Sequence, residues 1–265
     1  MDPVTSDRLR WGALAWLLTL QFFVVETVVQ FRGEGYSRAD DVISDLGATT
    51  WPGHQAMNAS FVVQAALILG GAVLLLPTLR AGAGRVAAYL FGVAAVGVLL
   101  VGVLPSDRSD TWHGVGATLY LVGGAFGLIA LAYALRPRSE LLGSTLVALG
   151  LVGTAATAFF LTGVDVLAEG ATERAAAYVL PIGLAVAGVA LWRSRAVDAT
   201  ADATPDADAG RPSRREQRDA ARAAAAERAR ERDAALEAAA RRSEGTAPAD
   251  DFDADDPWAS NRRTD

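Results

Sequence analysis

Asp45, Asp107 and His113 are the residues of this 265-residue chain whose types could support bond-breaking chemistry. An imidazole can serve as general base or metal ligand, and carboxylates beside it can orient the ring or share a proton. The set is a minimal one. The only histidines are His54 and His113, and there is no cysteine, which excludes disulfides, thiolate nucleophiles and Cys-ligated metal centres. An all-His metal site is not expected within one chain, and neither a metal nor a cofactor is expected. Three further ionisable residues, Glu26, Glu173 and Arg174, stand at the edges of apolar runs, where a charge is costly unless it is paired. These six residues are the candidates for a polar cluster.

What must position them is a set of membrane spans. Over half the residues are apolar, yet a fifth are charged, and the two facts are compatible only because the charges are segregated. Six stretches are long and apolar enough to cross a hydrocarbon core of about 30 Å. They are Trp11–Phe31, Asn58–Leu79, Val86–Leu104, Gly114–Leu135, Leu141–Val164 and Ala175–Trp192. None alternates in the way a barrel strand does. A helix satisfies every backbone group within one segment, so the expected fold is all-α, a bundle of six transmembrane helices. The first run follows Arg8 and Arg10 but is too long for a signal-peptide core, and is read as a retained span.

Every basic residue is arginine, and arginine placement sets the expected orientation. Arg8, Arg10, Arg80, Arg85, Arg136, Arg138, Arg193 and Arg195 flank one side; Arg32, Arg38, Arg108 and Arg174 flank the other. The excess predicts a multi-pass protein of the plasma membrane with both termini cytoplasmic. The segments Arg32–Met57, Pro105–His113 and Asp165–Arg174 are then outer loops. Topology alone brings Glu26, Asp45, Asp107, His113, Glu173 and Arg174 to this outer face. Glycines recur within the spans, among them Gly70, Gly71, Gly92, Gly97, Gly123 and Gly127, and let helices approach closely. Internal packing is the first expectation for them, homo-oligomerisation through one such face the second.

After Arg195 the composition changes. From Asp198 onward there are 17 acids and 12 arginines, a net of −5 out of the whole chain's −6, so the acidity of the protein says little about the membrane domain. Residues 196–212 read as a disordered linker. Residues 213–244 read as a solvated Ala/Arg/Glu helix, opened by a Ser213–Glu216 capping box and lacking an apolar seam. Residues 245–265 read as an acidic disordered tail, in which Trp258 is the one candidate docking residue.

The stretch DDVISDLGATTWPGH, residues 40–54, is the acidic anomaly between the first two spans. Ser37 and Asp40 have capping-box spacing, Gly47 suits a helix end, and Val42, Ile43 and Leu46 share a face. A short interfacial helix is expected there, its apolar side down, before Trp51-Pro52 turns the chain into the second span. Asp45 would sit at the unfavourable end of that helix. Its expected partner is a cation, Arg174 first and His113 second.

Three motifs together, YSRADDVISDLGA after the first span, GVLPSD followed by His113, and GATERAAAY entering the sixth, resemble the domain of unknown function 998 family of bacterial and archaeal membrane proteins. The resemblance covers residues 10–195. Its pattern falls on Tyr36, Ser44, Asp45, Leu46, Gly47, Gly102, Pro105, Asp107, His113, Glu173 and Arg174. It implies a six-span integral membrane protein and no established activity.

The first functional expectation is a protein that binds a lipid headgroup or small ligand at its outer polar cluster, or serves as an assembly partner, without catalysis. The alternative is a membrane-embedded lipid hydrolase or transferase using His113 with Asp45 and Asp107. A small-solute transporter comes third, because mid-span positions carry few polar residues (Gln64, Thr154, Thr157) and no Gly/Pro-broken helix pair. Membrane lipids are the expected partners; nucleic acid is not.

Overall fold

The computed structural model describes residues 3–79, 82–164, 166–202 and 214–244. The chain divides into two units, Met1–Ala203 and Thr204–Asp265. The first unit is built from α1 (Pro3–Leu18), α2 (Gln21–Gln30), α3 (His54–Leu75), α4 (Gly82–Val103), α5 (Asp110–Leu135), α6 (Glu140–Thr162) and α7 (Glu169–Asp202). Together α1 and α2 make the first span. Among the described residues six helices are long and apolar enough to cross a membrane. Six crossings return both ends of the unit to one face, called here the terminal end; the opposite face, which carries residues 31–53, is the loop end.

Neighbouring helices run in the order α1, α3, α4, α5, α7 and back to α1, while α6 packs chiefly on α5 and α7. The core is a continuous set of buried apolar side chains that includes Trp16, Phe22, Ile68, Phe91, Leu128 and Leu184. Small residues set the closest approach. A Cβ on Gly97 would stand 2.4 Å from the Tyr120 nitrogen and 2.5 Å from the Gly116 carbonyl, so α4 and α5 touch backbone to backbone. Gly71, Gly123, Gly127, Gly150 and Gly153 likewise face neighbours inside the bundle, whereas Gly70 and Gly92 face open space.

Two departures from regular helix meet at mid-span. The first span, expected as one helix, breaks between Leu18 and Gln21. Thr19 Oγ1 donates to the Trp16 carbonyl at 2.6 Å, and the backbone bonds of Thr19, Leu20, Phe22 and Phe23 tighten to their i−3 carbonyls. A hydroxyl competing for a helix carbonyl favours such a break. Opposite lies Pro181, inside α7, whose carbonyl is 3.3 Å from Thr19 Oγ1. Pro181 has no N–H to give the Ala177 carbonyl. The Tyr120 hydroxyl supplies the missing donor at 3.1 Å. The expectation of uninterrupted spans is corrected here. A Thr break carries no Gly or Pro signature, and the Pro181 position acquires meaning only beside its neighbours.

The sixth spanning helix also runs further than expected. α7 continues to Asp202, into the stretch read as linker, because Ala-rich sequence extends a helix already nucleated by the span. Residues 203–212 of that linker, Ser213 with its capping box, the tail 245–265 with Trp258, and Arg80 lie outside the described residues. In the second unit α8 (Arg214–Glu244) exposes its described side chains, Leu236 included.

Candidate functional site

Residues 31–53 cross the loop end, and Arg174, in the second turn of α7, determines how they sit. Arg174 Nε donates to Glu26 Oε1 at 3.0 Å. Its Nη1 reaches the carbonyls of Arg38 at 2.7 Å, Asp41 at 2.8 Å and Gly170 at 3.0 Å. Its Nη2 donates to the Tyr36 hydroxyl, which in turn donates to the Val42 carbonyl at 2.9 Å. Glu26 is fully buried. Its second oxygen accepts from the Tyr178 hydroxyl at 2.6 Å, and Arg38 Nη2 lies 3.5 Å from the first. A buried carboxylate is tolerated only when paired and hydrogen-bonded, and here both conditions hold. Burial beside this network pushes the Tyr36 hydroxyl up to about 12, against the pull of the Arg174 charge.

The start of α7 is tied to the same loop. The Gly170 and Ala171 N–H groups, which have no partner within their own helix, donate to the carbonyls of Asp40 (3.2 Å) and Ala39 (2.8 Å). Gly170 allows this approach: a Cβ there would fall 2.1 Å from the Asp41 oxygen. Next along, Glu173 accepts from the Ile43 N–H.

These contacts change the element expected over 40–47. The capping chemistry does form: Ser37 Oγ accepts from Asp40 N at 3.3 Å, and the Asp41 carboxylate accepts from Ser37 N at 2.7 Å. The helix does not propagate. The carbonyls of residues 38–41, which would bond the next turn, are taken by Arg174 and by the start of α7. Val42 turns extended, and only a 3-10 turn, Ile43–Gly47, follows. Ile43 and Leu46 point into the bundle and are buried, and Asp45 points out.

The expected Asp45–Arg174 pair is therefore corrected. Arg174 is spent on Glu26 and on backbone carbonyls, and Asp45 is exposed. Partial burial, with the nearby Asp41 charge, still holds the Asp45 carboxyl above its ordinary range. Asp107 lies elsewhere on the face. Its Oδ2 accepts from the Thr49 N–H at 2.9 Å and from the Thr49 hydroxyl, which pulls the carboxyl below its ordinary value. The structure thus brings Glu26 and Arg174 into direct contact, sets Glu173 beside them, and leaves Asp45 and Asp107 apart.

His113 is buried near the start of α5, with Nδ1 2.8 Å from the Leu104 carbonyl. A carbonyl oxygen only accepts, so Nδ1 carries a proton. The ring borders a cavity of about 30 Å³ that Glu173, Ser44 and Tyr120 also line. That is space for a water and not for a substrate. No cluster of three or more His, Cys, Asp or Glu residues suited to a metal occurs among the described residues.

The larger opening at this end lies alongside. Asp40 from the loop, Phe159 and Phe160 from α6, Val164 and Leu167 from the connection, and Glu169 from α7 border a groove of about 460 Å³. Sequence reasoning missed this groove and also Arg38. Its lining is drawn from the stretch 159–172 and from Asp40, far off in sequence, and the two meet only once the chain has folded. A signal for the clamp was present: Arg174 and Tyr178 lie one helical turn apart, and Glu26 is the only acid of the first apolar run.

Six apolar helices with a buried ion-pair network across one end define a multi-pass helical membrane protein. The chain belongs to the family described as Protein of unknown function (DUF998), whose model matches residues 17–192. The match takes in every residue of the clamp and ends before α8. No curated protein and no solved structure matches the chain.

Proposed function

We propose that this protein binds, at the outer face of the plasma membrane and with both termini cytoplasmic, an amphiphile whose headgroup carries an amine. The observation that carries the reading is the groove of about 460 Å³, a volume ordinary for a ligand site, with Asp40 and Glu169 at its rim and Phe159, Phe160, Val164 and Leu167 along its wall. An ammonium would sit between the two acids and a chain would lie on the apolar wall, continuous with the lipid-facing surface of α6. The Arg174–Glu26 clamp is then a positioning device. Its donors and acceptors are engaged with one another, and by fixing residues 38–41 it holds Asp40 at the rim.

The lipid hydrolase or transferase reading would need the His113 imidazole to meet a substrate, and the cavity beside it is too small for one. Native mass spectrometry of the full chain released from detergent tests the proposal. Phosphatidylethanolamine should be retained, and the double variant Asp40→Asn/Glu169→Gln should weaken that retention roughly tenfold, a loss of about 1.4 kcal/mol, with phosphatidylglycerol retention unchanged. Retention of phosphatidylethanolamine that survives the double substitution would overturn the proposal.

A further inference from the structure

Toward the terminal end, two cavities lie along the contact between α1 and α7. The two helices touch where a Cβ on Gly188 would stand 2.7 Å from the Ala13 carbonyl. One cavity, of about 260 Å³, lies beside that contact and is lined by Ala13 and Gly188 themselves, and another, of about 310 Å³, lies nearer the terminal end. Leu14 and Trp192 line both, so the two adjoin as the inner and outer parts of a cleft beside the α1–α7 contact. The part nearer mid-span is lined by Leu14 and Leu17 on one side and Val189 and Trp192 on the other, with Arg193 at its edge. The other part is lined by Asp7, Arg10, Trp11 and Trp192. The cleft is apolar toward the membrane centre and cationic at its mouth, where Arg10 and Arg193 outweigh Asp7. Arg10 has its guanidinium 5.8 Å from the centre of the Trp192 ring, which orients it across the opening. Trp11 and Trp192 are of the type that sits at headgroup level.

We infer that this cleft between α1 and α7 is a binding site for an anionic phospholipid of the leaflet at the terminal end, with one acyl chain against Leu14, Leu17 and Val189 and the phosphate between Arg10 and Arg193. The graded lining selects an amphiphile rather than a soluble anion. The sign of the charge at the mouth selects an anionic head rather than an ammonium, the reverse of the loop-end groove. An arginine offers planar, paired donors to phosphate oxygens, and here the arginines stand at the edge of an exposed apolar wall.

The test uses the full chain in a neutral detergent, titrated with phosphatidylglycerol and with phosphatidylcholine of the same acyl chains and read by native mass spectrometry. Phosphatidylglycerol should bind more tightly, and Arg10→Gln/Arg193→Gln should erase the preference, a loss of roughly tenfold or more, while phosphatidylethanolamine retention stays as it was. Val189→Trp, which fills the apolar part and leaves the charges, should weaken phosphatidylglycerol as well. Arg136→Gln, at the same end on the connection from α5 to α6, should change nothing. Equal binding of the two lipids would overturn the inference. So would an equal loss with Arg136→Gln, which would mean general surface charge, or competition by glycerol phosphate as strong as by the lipid, which would mean a headgroup site without a chain. A lipid-free dimer that the double variant dissociates would assign the cleft to a second copy instead. The loop-end proposal rests on other residues and another lipid, so either can fail alone.

Discussion

Arg174 and Glu26 are the pair on which the loop end depends. With Arg174 side-chain exposure of 7% and Glu26 at 0%, removing either partner strands a buried charge, at a cost of about 3–5 kcal/mol. Glu26→Gln and Arg174→Gln should therefore each lower the thermal midpoint in detergent, and the double variant should lose less than their sum. Combining Asp45→Asn with Arg174→Gln should be additive to within about 0.5 kcal/mol; a coupling as large as that of Glu26 would restore the pair the structure does not form. The two loop carboxylates should respond to pH with opposite sign. The Asp45 carboxyl is raised above its ordinary value of 3.8, so its contribution favours the fold below that pH and is lost as pH rises through the folded value. Asp45→Asn should then raise the midpoint at neutral pH and have no effect in acid. Asp107 is lowered, so its link to Thr49 is present above its ordinary value and is lost as pH falls through the depressed one. Hydrogen exchange at the Thr49 amide, compared between wild type and Asp107→Asn across that range, reads this directly.

At the level of elements, the mid-span irregularities and the loop docking each rest on one replaceable atom group. Tyr120→Phe removes the donor that the Ala177 carbonyl has in place of a helical N–H, and an unsatisfied buried carbonyl costs about 1–3 kcal/mol. Pro181→Ala would return an N–H to that carbonyl. The loss from Tyr120→Phe should therefore shrink in the Pro181→Ala background; an equal loss in both would show that the hydroxyl does not serve this role. Gly170→Ala places a methyl against the Asp41 carbonyl and should destabilise by about 1–3 kcal/mol while loosening residues 38–41. Gly92→Ala, in open space within α4, should be neutral or gain about 0.5–1 kcal/mol. A thermal series with both variants separates a docking glycine from one that merely lies on the surface of the bundle.

For the whole molecule, six spans put the two ends of the membrane unit on one side, and the arginine excess assigns that side to the cytoplasm. Reporter fusions after Leu79, Leu104, Leu135 and Val164 should alternate in, out, in, out. An outside signal from a fusion at Arg195 would reverse the orientation and exchange the leaflets of the two proposed lipid sites. The two proposed sites differ in charge: Asp40 and Glu169 border the groove at the loop end, and Arg10 and Arg193, with Asp7, border the cleft beside α1 and α7.

The six spans, the absence of strands among the described residues and the family were legible from the chain itself, because crossing a membrane is a local requirement. About twenty apolar residues in succession can do little else in lipid. The end to which the ionisable residues go was legible for the same reason. Which of them meet was decided only by the packing of helices far apart in sequence. Asp45 looked like the carboxylate in need of a cation, since sequence shows its place at a helix end but not its exposure. Glu26 lies wholly inside the bundle, where water cannot solvate it, so it takes Arg174, and Asp45, reachable by water, does without. The loop helix failed for a related reason: its carbonyls found stronger donors in Arg174 and in the open start of α7, and those donors are adjacent only once the first and last spans have packed together.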